Sequence, residues 1–96
     1  MEGASDAPAD AASTAVGDLV EFLCRALASE PDAVTVEEVD EGSDLVIEVS
    51  VAGGDLGRLI GRGGRVANAI RTVAKAAARA GGERRVLVEF VEDDDQ

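Results

Sequence analysis

Four residues in the middle of the chain, Gly61-Arg62-Gly63-Gly64, combine backbone freedom with positive charge. Glycine adopts backbone conformations closed to other residues and lets another chain approach closely. Gly64 stands immediately before a stretch of helical periodicity. The first N–H groups of a helix lack partners and carry partial positive charge. A phosphate placed there gains hydrogen bonds and a favourable dipole. Arg62 projects from the turn and Arg65 opens the helix, so adjacent phosphates lie within reach of both. The surroundings favour such a ligand. From Leu56 to Gly82 there is no Asp or Glu, and there are six bases: Arg58, Arg62, Arg65, Arg71, Lys75 and Arg79. The rest of the chain sets 20 acids against 3 bases, for a formal net charge of −11 overall.

Other glycine motifs fit poorly. A dinucleotide-binding fingerprint requires G-x-G-x-x-G directly after a strand, and the sixth position counted from Gly61 is Val66. A nucleoside-triphosphate loop requires Gly-Lys-Ser/Thr, which is absent. The chain has no His or Tyr, and its lone Cys24 has no basic activator nearby in sequence. Its carboxylates lie outside the basic island, and no pair is placed as an acid–base couple. This excludes an enzyme, a metal site and a cofactor from the expectations.

The elements around the turn read as follows. Residues 1–12 form an acidic tail without bases, expected to be disordered. Ser13 or Thr14 can cap a helix carrying Val16, Leu19, Val20, Leu23 and Leu27, with Phe22 and Ala26 widening its apolar side and Pro31 stopping it. Cys24 falls on that apolar side. Val34 and Val36 begin a strand whose phase shifts at Glu38-Val39, as at a bulge. Asp40 to Asp44 is a turn. Leu45, Ile47, Val49 and Val51 alternate cleanly in a second strand, and the pair predicts a hairpin. Asp55 can cap a short helix with Leu56, Leu59 and Ile60. A long helix from about Arg65 to Ala80 presents Val66, Ile70, Val73 and Ala77 on one face and ends at Gly81-Gly82. On another face Arg71, Lys75 and Arg79 are either solvated charges or phosphate contacts. Val86, Val88 and Phe90 mark a last strand with Arg84 and Arg85 at its start, and residues 93–96 form an acidic tail.

One domain of residues 13–92 follows, of class α+β. The order α-β-β-α-α-β allows a crossover that sets the last strand parallel to the second. The predicted result is a three-stranded mixed sheet with three helices on one face. The core is aliphatic, since Phe22 and Phe90 are the only aromatic residues. No stretch approaches the roughly 20 apolar residues of a membrane span. The amino terminus lacks the features of a signal peptide, so the expectation is a cytoplasmic protein that does not engage membranes.

Ile60-Gly61-Arg62-Gly63-Gly64-Arg65, set between two helices in this element order, resembles a KH domain of the bacterial, type II arrangement. Asp18-Leu19-Val20-Glu21-Phe22-Leu23, Asp55-Leu56-Gly57-Arg58-Leu59-Ile60-Gly61 and Ala69-Ile70-Arg71-Thr72-Val73-Ala74-Lys75-Ala76-Ala77 resemble the small single-KH proteins of the KhpA (YlqC-like) family. The resemblance covers roughly residues 14–91. It implies a groove for about four nucleotides of single-stranded RNA or DNA, clamped by the GxxG loop. By carry-over Gly61, Arg62, Gly63 and Gly64 are the clamp, with Arg58 and Arg65 beside it. Ile60, Val66 and the strand around Val46 to Ser50 supply the apolar groove. The resemblance also implies a homodimer, or a heterodimer with a KhpB/Jag-type KH protein, acting as a post-transcriptional regulator or RNA chaperone linked to cell growth and cell shape. In this fold the turn Asp40–Asp44 is expected to face the GxxG and repel phosphate with its three acids. The other reading is a protein-interaction module whose KH surface mediates dimerisation, with little RNA binding of its own.

Overall fold

The computed structural model describes residues 14–93. The expected tail at residues 1–12 and the last three residues of the acidic tail lie outside the described residues. Helix α1 (Ala15–Leu27) leads into strands β1 (Thr35–Glu41) and β2 (Asp44–Val51). Helices α2 (Leu56–Ile60) and α3 (Arg65–Ala80) follow, and strand β3 (Arg85–Glu92) ends the domain. Single 3-10 turns occur at Pro31–Ala33, Gly53–Asp55 and Arg62–Gly64. The sheet order is β1-β2-β3, with β1 antiparallel and β3 parallel to the central β2. Parallel pairing needs a long crossover, and α2, the glycine turn and α3 supply it. The architecture is the expected α+β, type II KH arrangement with its three helices packed on one face of a mixed sheet.

Alternation decides which side of β2 is buried. Leu45, Ile47, Val49 and Val51 face the helices and meet Val86 and Val88 of β3. Helix α1 adds Val16, Val20 and Cys24, and α2 adds Leu59. The buried stripe of α3 is Ala67, Ile70, Ala74 and Ala78, offset from the expected Val66, Ile70, Val73 and Ala77. Alanines at the contact let the helix axis approach the sheet closely. The valines are displaced to the flank, where Val73 is 44% exposed. Phe22 also departs from expectation, because its position falls on the side of α1 opposite Val20 and Cys24, and it is 68% exposed.

Strand β1 carries no bulge: every residue from Thr35 to Glu41 pairs one to one with β2. The apparent phase shift arises because Glu38, paired with Ile47, faces the helices despite its charge. Its carboxylate accepts from the backbone N–H of Thr14 at 2.8 Å and lies where a Cβ on Gly17 would sit. Thr14 in turn caps α1 by accepting from Gly17 N–H at 2.9 Å. On the open side of the sheet two rows cross all three strands. Val39, Val46 and Leu87 form an apolar row, and Glu37, Glu48 and Glu89 form an acidic one. The hairpin turn is only Gly42-Ser43, with Gly42 at φ 74°.

Asp55 does not cap α2 with its side chain. It is 1% exposed, and its carboxylate reaches back to the end of α1. It accepts from Ser29 N–H at 3.0 Å, Ser29 hydroxyl at 2.8 Å and Glu30 N–H at 3.0 Å. These bonds, chiefly those from Ser29, hold its pKa below the ordinary aspartate value, and the nearby Arg58 guanidinium adds to the shift. One buried carboxylate therefore ties the exit of α1 to the entry of α2.

Three outcomes follow from this packing. Ile47→Ala removes a fully buried side chain from the central strand and should cost about 2–5 kcal/mol in urea unfolding. Burial raises the Cys24 thiol pKa to about 11. A thiol reagent at neutral pH should therefore label the chain only after denaturation. The depressed Asp55 pKa contributes stability that is complete above the unfolded aspartate value of about 3.9. That contribution is lost as pH falls through the lower folded-state value. Asp55→Asn should lower the melting temperature by several degrees at neutral pH, and the gap to the unaltered chain should narrow in acid.

Candidate nucleic-acid interface

Helix α2 is one turn long and ends at Gly61, whose N–H donates to Gly57 carbonyl at 2.8 Å. Gly61 has φ 77° and ψ 171°, a conformation glycine reaches without the penalty a side chain imposes. A Cβ there would lie 2.5 Å from Val66 Cγ2 and 2.9 Å from Val66 N, so the start of α3 leaves no room for any side chain. Gly63 and Gly64 also have positive φ, at 64° and 80°, but a Cβ on Gly63 would meet open space. Gly64 N–H donates to Gly61 carbonyl at 3.1 Å, and Arg65 N–H donates to Arg62 carbonyl. This winding extends the start of α3 back to Arg62. The amides of Arg62 and Gly63, first in it, have no acceptor that a helix beginning there can offer. Donors therefore collect at the leading edge of the turn, flanked by two exposed arginines.

The expected site residues do come together. Gly61, Arg62, Gly63, Gly64 and Arg65 are consecutive on this edge, with Arg62 and Arg65 exposed. Ile60 is half-buried at the end of α2. Val66 is half-buried beneath Gly61 and also lines a cleft between α1 and α3. Arg58, half-exposed, lies 3.4 Å from the Asp55 carboxylate.

Ion pairing sorts the nine bases into two groups. Arg25 pairs with Glu21, Arg58 with Asp55, Arg84 with Asp40 and Glu83, and Arg85 with Asp44. Among the described residues, Arg62, Arg65, Arg71, Lys75 and Arg79 have no acidic partner. These five run from the glycine turn along α3. The basic island is visible in the sequence; that five of its six bases have no acidic partner among the described residues, while Arg58 and the bases outside it are paired, depends on the fold.

Two expectations about the groove change. The Asp40–Asp44 segment does not face the glycine turn. Asp44 pairs in register with Arg85 at the start of β3, which follows the far end of α3, about 24 Å from the turn at 1.5 Å per residue. Two of its three acids are also engaged. Gly42 N–H and the Arg84 guanidinium hold the Asp40 carboxyl below its ordinary pKa. A two-pronged contact from Arg85, at 2.9 Å on both oxygens, does the same for Asp44. Nor does the strand from Val46 to Ser50 line a groove. It is the central strand, and Val46 lies on the sheet face away from the helices. The strand bordering α3 at the open edge is β3, where Arg71 Nε donates to Val88 carbonyl at 3.1 Å.

A second surface feature had no clear signal in the sequence. Leu23 and Leu27 of α1 and Val66, Ala69, Ile70 and Val73 of α3 line an open apolar cleft. It occupies the α1 side of α3 with Arg65 among its lining residues, while Lys75 and Arg79 border the start of β3 and Arg71 bonds to that strand. Among the described residues, no helix is long and apolar enough to cross a membrane.

Known proteins share this design. The family model described as KhpA/KhpB, KH domain matches residues 17–90. The RNA-binding protein KhpA of Caldanaerobacter subterraneus subsp. tengcongensis is 45% identical over 76 residues, covering 79% of this chain and 100% of that protein. The RNA-binding protein KhpA of Mycobacterium tuberculosis is 42% identical over 82 residues, covering 85% of this chain and 98% of that protein. Among solved structures, Era of Aquifex aeolicus bound to GDP and an aluminium fluoride aligns with a TM-score of 0.60 and 22% identity. That alignment covers 80% of this chain and 30% of Era, and it speaks to the fold alone. The match from α1 to β3, together with relatives covered over nearly their whole length, places this chain in the KhpA/KhpB family of bacterial, non-enzymatic KH-domain proteins.

Proposed function

We propose that this protein binds single-stranded RNA, with the Gly61–Gly64 turn holding the phosphate backbone. The observation that carries this reading is the run of five bases without acidic partners among the described residues, leading from the turn along α3 in a chain of net charge −11. The names of the relatives, RNA-binding protein KhpA, point the same way. Arg62, Arg65 and the amides at the leading edge of the turn meet phosphates, and Arg58 adds charge beside them. Ile60 and the β3 edge border the bases. The contacts are to backbone shared by RNA and DNA, so single-stranded DNA is a second ligand of the same site. In this reading the protein acts in the cytoplasm, as a post-transcriptional regulator or RNA chaperone.

The apolar cleft between α1 and α3 favours a second role, dimerisation with a copy of this chain or with a KhpB/Jag-type partner. Val73, 44% exposed, lines that cleft and would be covered by such a partner. The two roles meet at Arg65, which also lines the cleft, and otherwise occupy different sides of α3.

The glycine geometry selects the variants. Gly61→Ala forces a side chain against Val66 and should destabilise the fold by more than Gly63→Ala. At Gly63 the cost is the positive φ alone, about 1–2 kcal/mol. Replacing Arg62 and Gly63 with Asp should remove retention on single-stranded RNA while the circular dichroism spectrum stays unchanged. Undiminished RNA retention by that variant would sink the clamp. With about three phosphates neutralised, log K against log salt should fall with a slope near −2 for a single strand. Val73→Asp should convert a dimer to a monomer in light scattering and leave RNA affinity within about twofold, since its charge is screened beyond roughly 8 Å. A monomeric parent chain would overturn self-association through the cleft.

A further inference from the structure

Arg71 differs from the other bases of the stripe because its side chain is fixed. Among the described residues, Arg62, Arg65, Lys75 and Arg79 have no hydrogen bond from their side chains. Arg71 Nε donates to Val88 carbonyl at 3.1 Å, and an outer nitrogen donates to Asn68 Oδ1 at 3.3 Å. Its guanidinium carbon lies 5.4 Å from the centroid of the Phe90 ring. Arg71 and Phe90 are both half-buried, whereas Asn68, one helical turn nearer Gly64, is exposed. The guanidinium is therefore backed by an aromatic ring, anchored at one edge to strand β3, and placed beside the path that leads away from the glycine turn.

This arrangement suits a base better than a phosphate. RNA-binding proteins stack unpaired bases on aromatic rings or on the planes of arginine guanidinium groups. The chain has no Trp or Tyr. Phe90 faces the helices and is partly covered, so its ring is not a free platform. Arg71 extends that ring outward with a second planar, cationic group. Two of its donors are already engaged, which lowers its value as a phosphate fork and raises the order of its plane.

We infer that Arg71, held by Val88 carbonyl and Asn68 and backed by Phe90, is the position on which one base of the bound strand stacks. The inference rests on the RNA-binding reading above and adds to it a place where the base, not the backbone, is felt. Purines, with the larger π face, are favoured there over pyrimidines.

The test is an abasic scan. Four-nucleotide RNA strands, intact or lacking one base at each position in turn, are titrated against the full chain by fluorescence anisotropy. The unaltered protein should lose about tenfold in affinity when one particular base is missing, within the range of base stacking, and should lose less at the other three. Arg71→Lys keeps the charge but not the plane. It should bind the intact strand about tenfold more weakly and should be indifferent to the missing base, with the salt slope unchanged. Arg71→Gln keeps a planar amide without the charge. It should retain part of the sensitivity, and its slope should not fall by the roughly 0.7 of a lost phosphate contact. If Arg71→Lys binds the intact strand like the parent, or is weakened equally on intact and abasic strands, the stacking role is overturned and a phosphate or packing role replaces it. If Arg71→Lys does not fold, the parent scan and Arg71→Gln decide. A parent chain that binds RNA but feels no missing base overturns the inference alone. A parent chain that binds none of the strands overturns the RNA-binding reading with it.

Discussion

The buried carboxylate of Asp55 is the constraint on which the interface depends. A charge in a nearly dry position is tolerated when hydrogen bonds satisfy it, and three donors from Ser29 and Glu30 do so here. The loop after α1 and the entry to α2 are thereby joined, 26 residues apart in sequence. Helix α2 has one turn and could not hold its place by its own hydrogen bonds, since short helices are marginal in water. Asp55 fixes its entry, and Leu59, fully buried, fixes its inner face. Gly61 then lies flush against Val66, and the turn inherits its geometry from both ends.

Charge is organised by the same scaffold. The hairpin and the start of β3 bring Asp40 and Asp44 to Arg84 and Arg85, and α1 pairs Glu21 with Arg25 along one face. Solvent-exposed pairs of this kind contribute little stability. Their effect here is on distribution: they neutralise bases away from the turn and leave those of α3 available. The parallel crossover matters as much, because it sends the hairpin acids to the far end of the helix.

The local elements were legible in the sequence. The helix from Arg65 to Ala80, the β2 alternation and the glycine turn are encoded by residues that are neighbours in the chain, and the structure places them as read. The unread features are long-range. Nothing in Asp55 distinguishes a helix cap from a tie to Ser29 until α1 and α2 are packed together. Glu38 imitates a bulge because the polar residue is on the inside, held by Thr14. The buried stripe on α3 lies one position from the valine pattern, because alanines permit the closer approach to the sheet. Of the candidate interface, the glycine turn and its flanking arginines were visible from type and spacing. The pairing of Arg71 with Phe90, and the identity of β3 as the bordering strand, required the sheet order.

The row of Glu37, Glu48 and Glu89 across the open side of the sheet has a consequence for encounters in solution. Like charges set side by side on neighbouring strands disfavour the sheet, so the fold bears a small internal cost at that row. In exchange the molecule is two-sided. Within a Debye length of about 8 Å, the acidic row repels a polyanion, whereas the bases of α3 attract one. The large negative net charge is thus unevenly spread over the described residues: a polyanion is repelled at the sheet and least repelled on the side that bears the glycine turn.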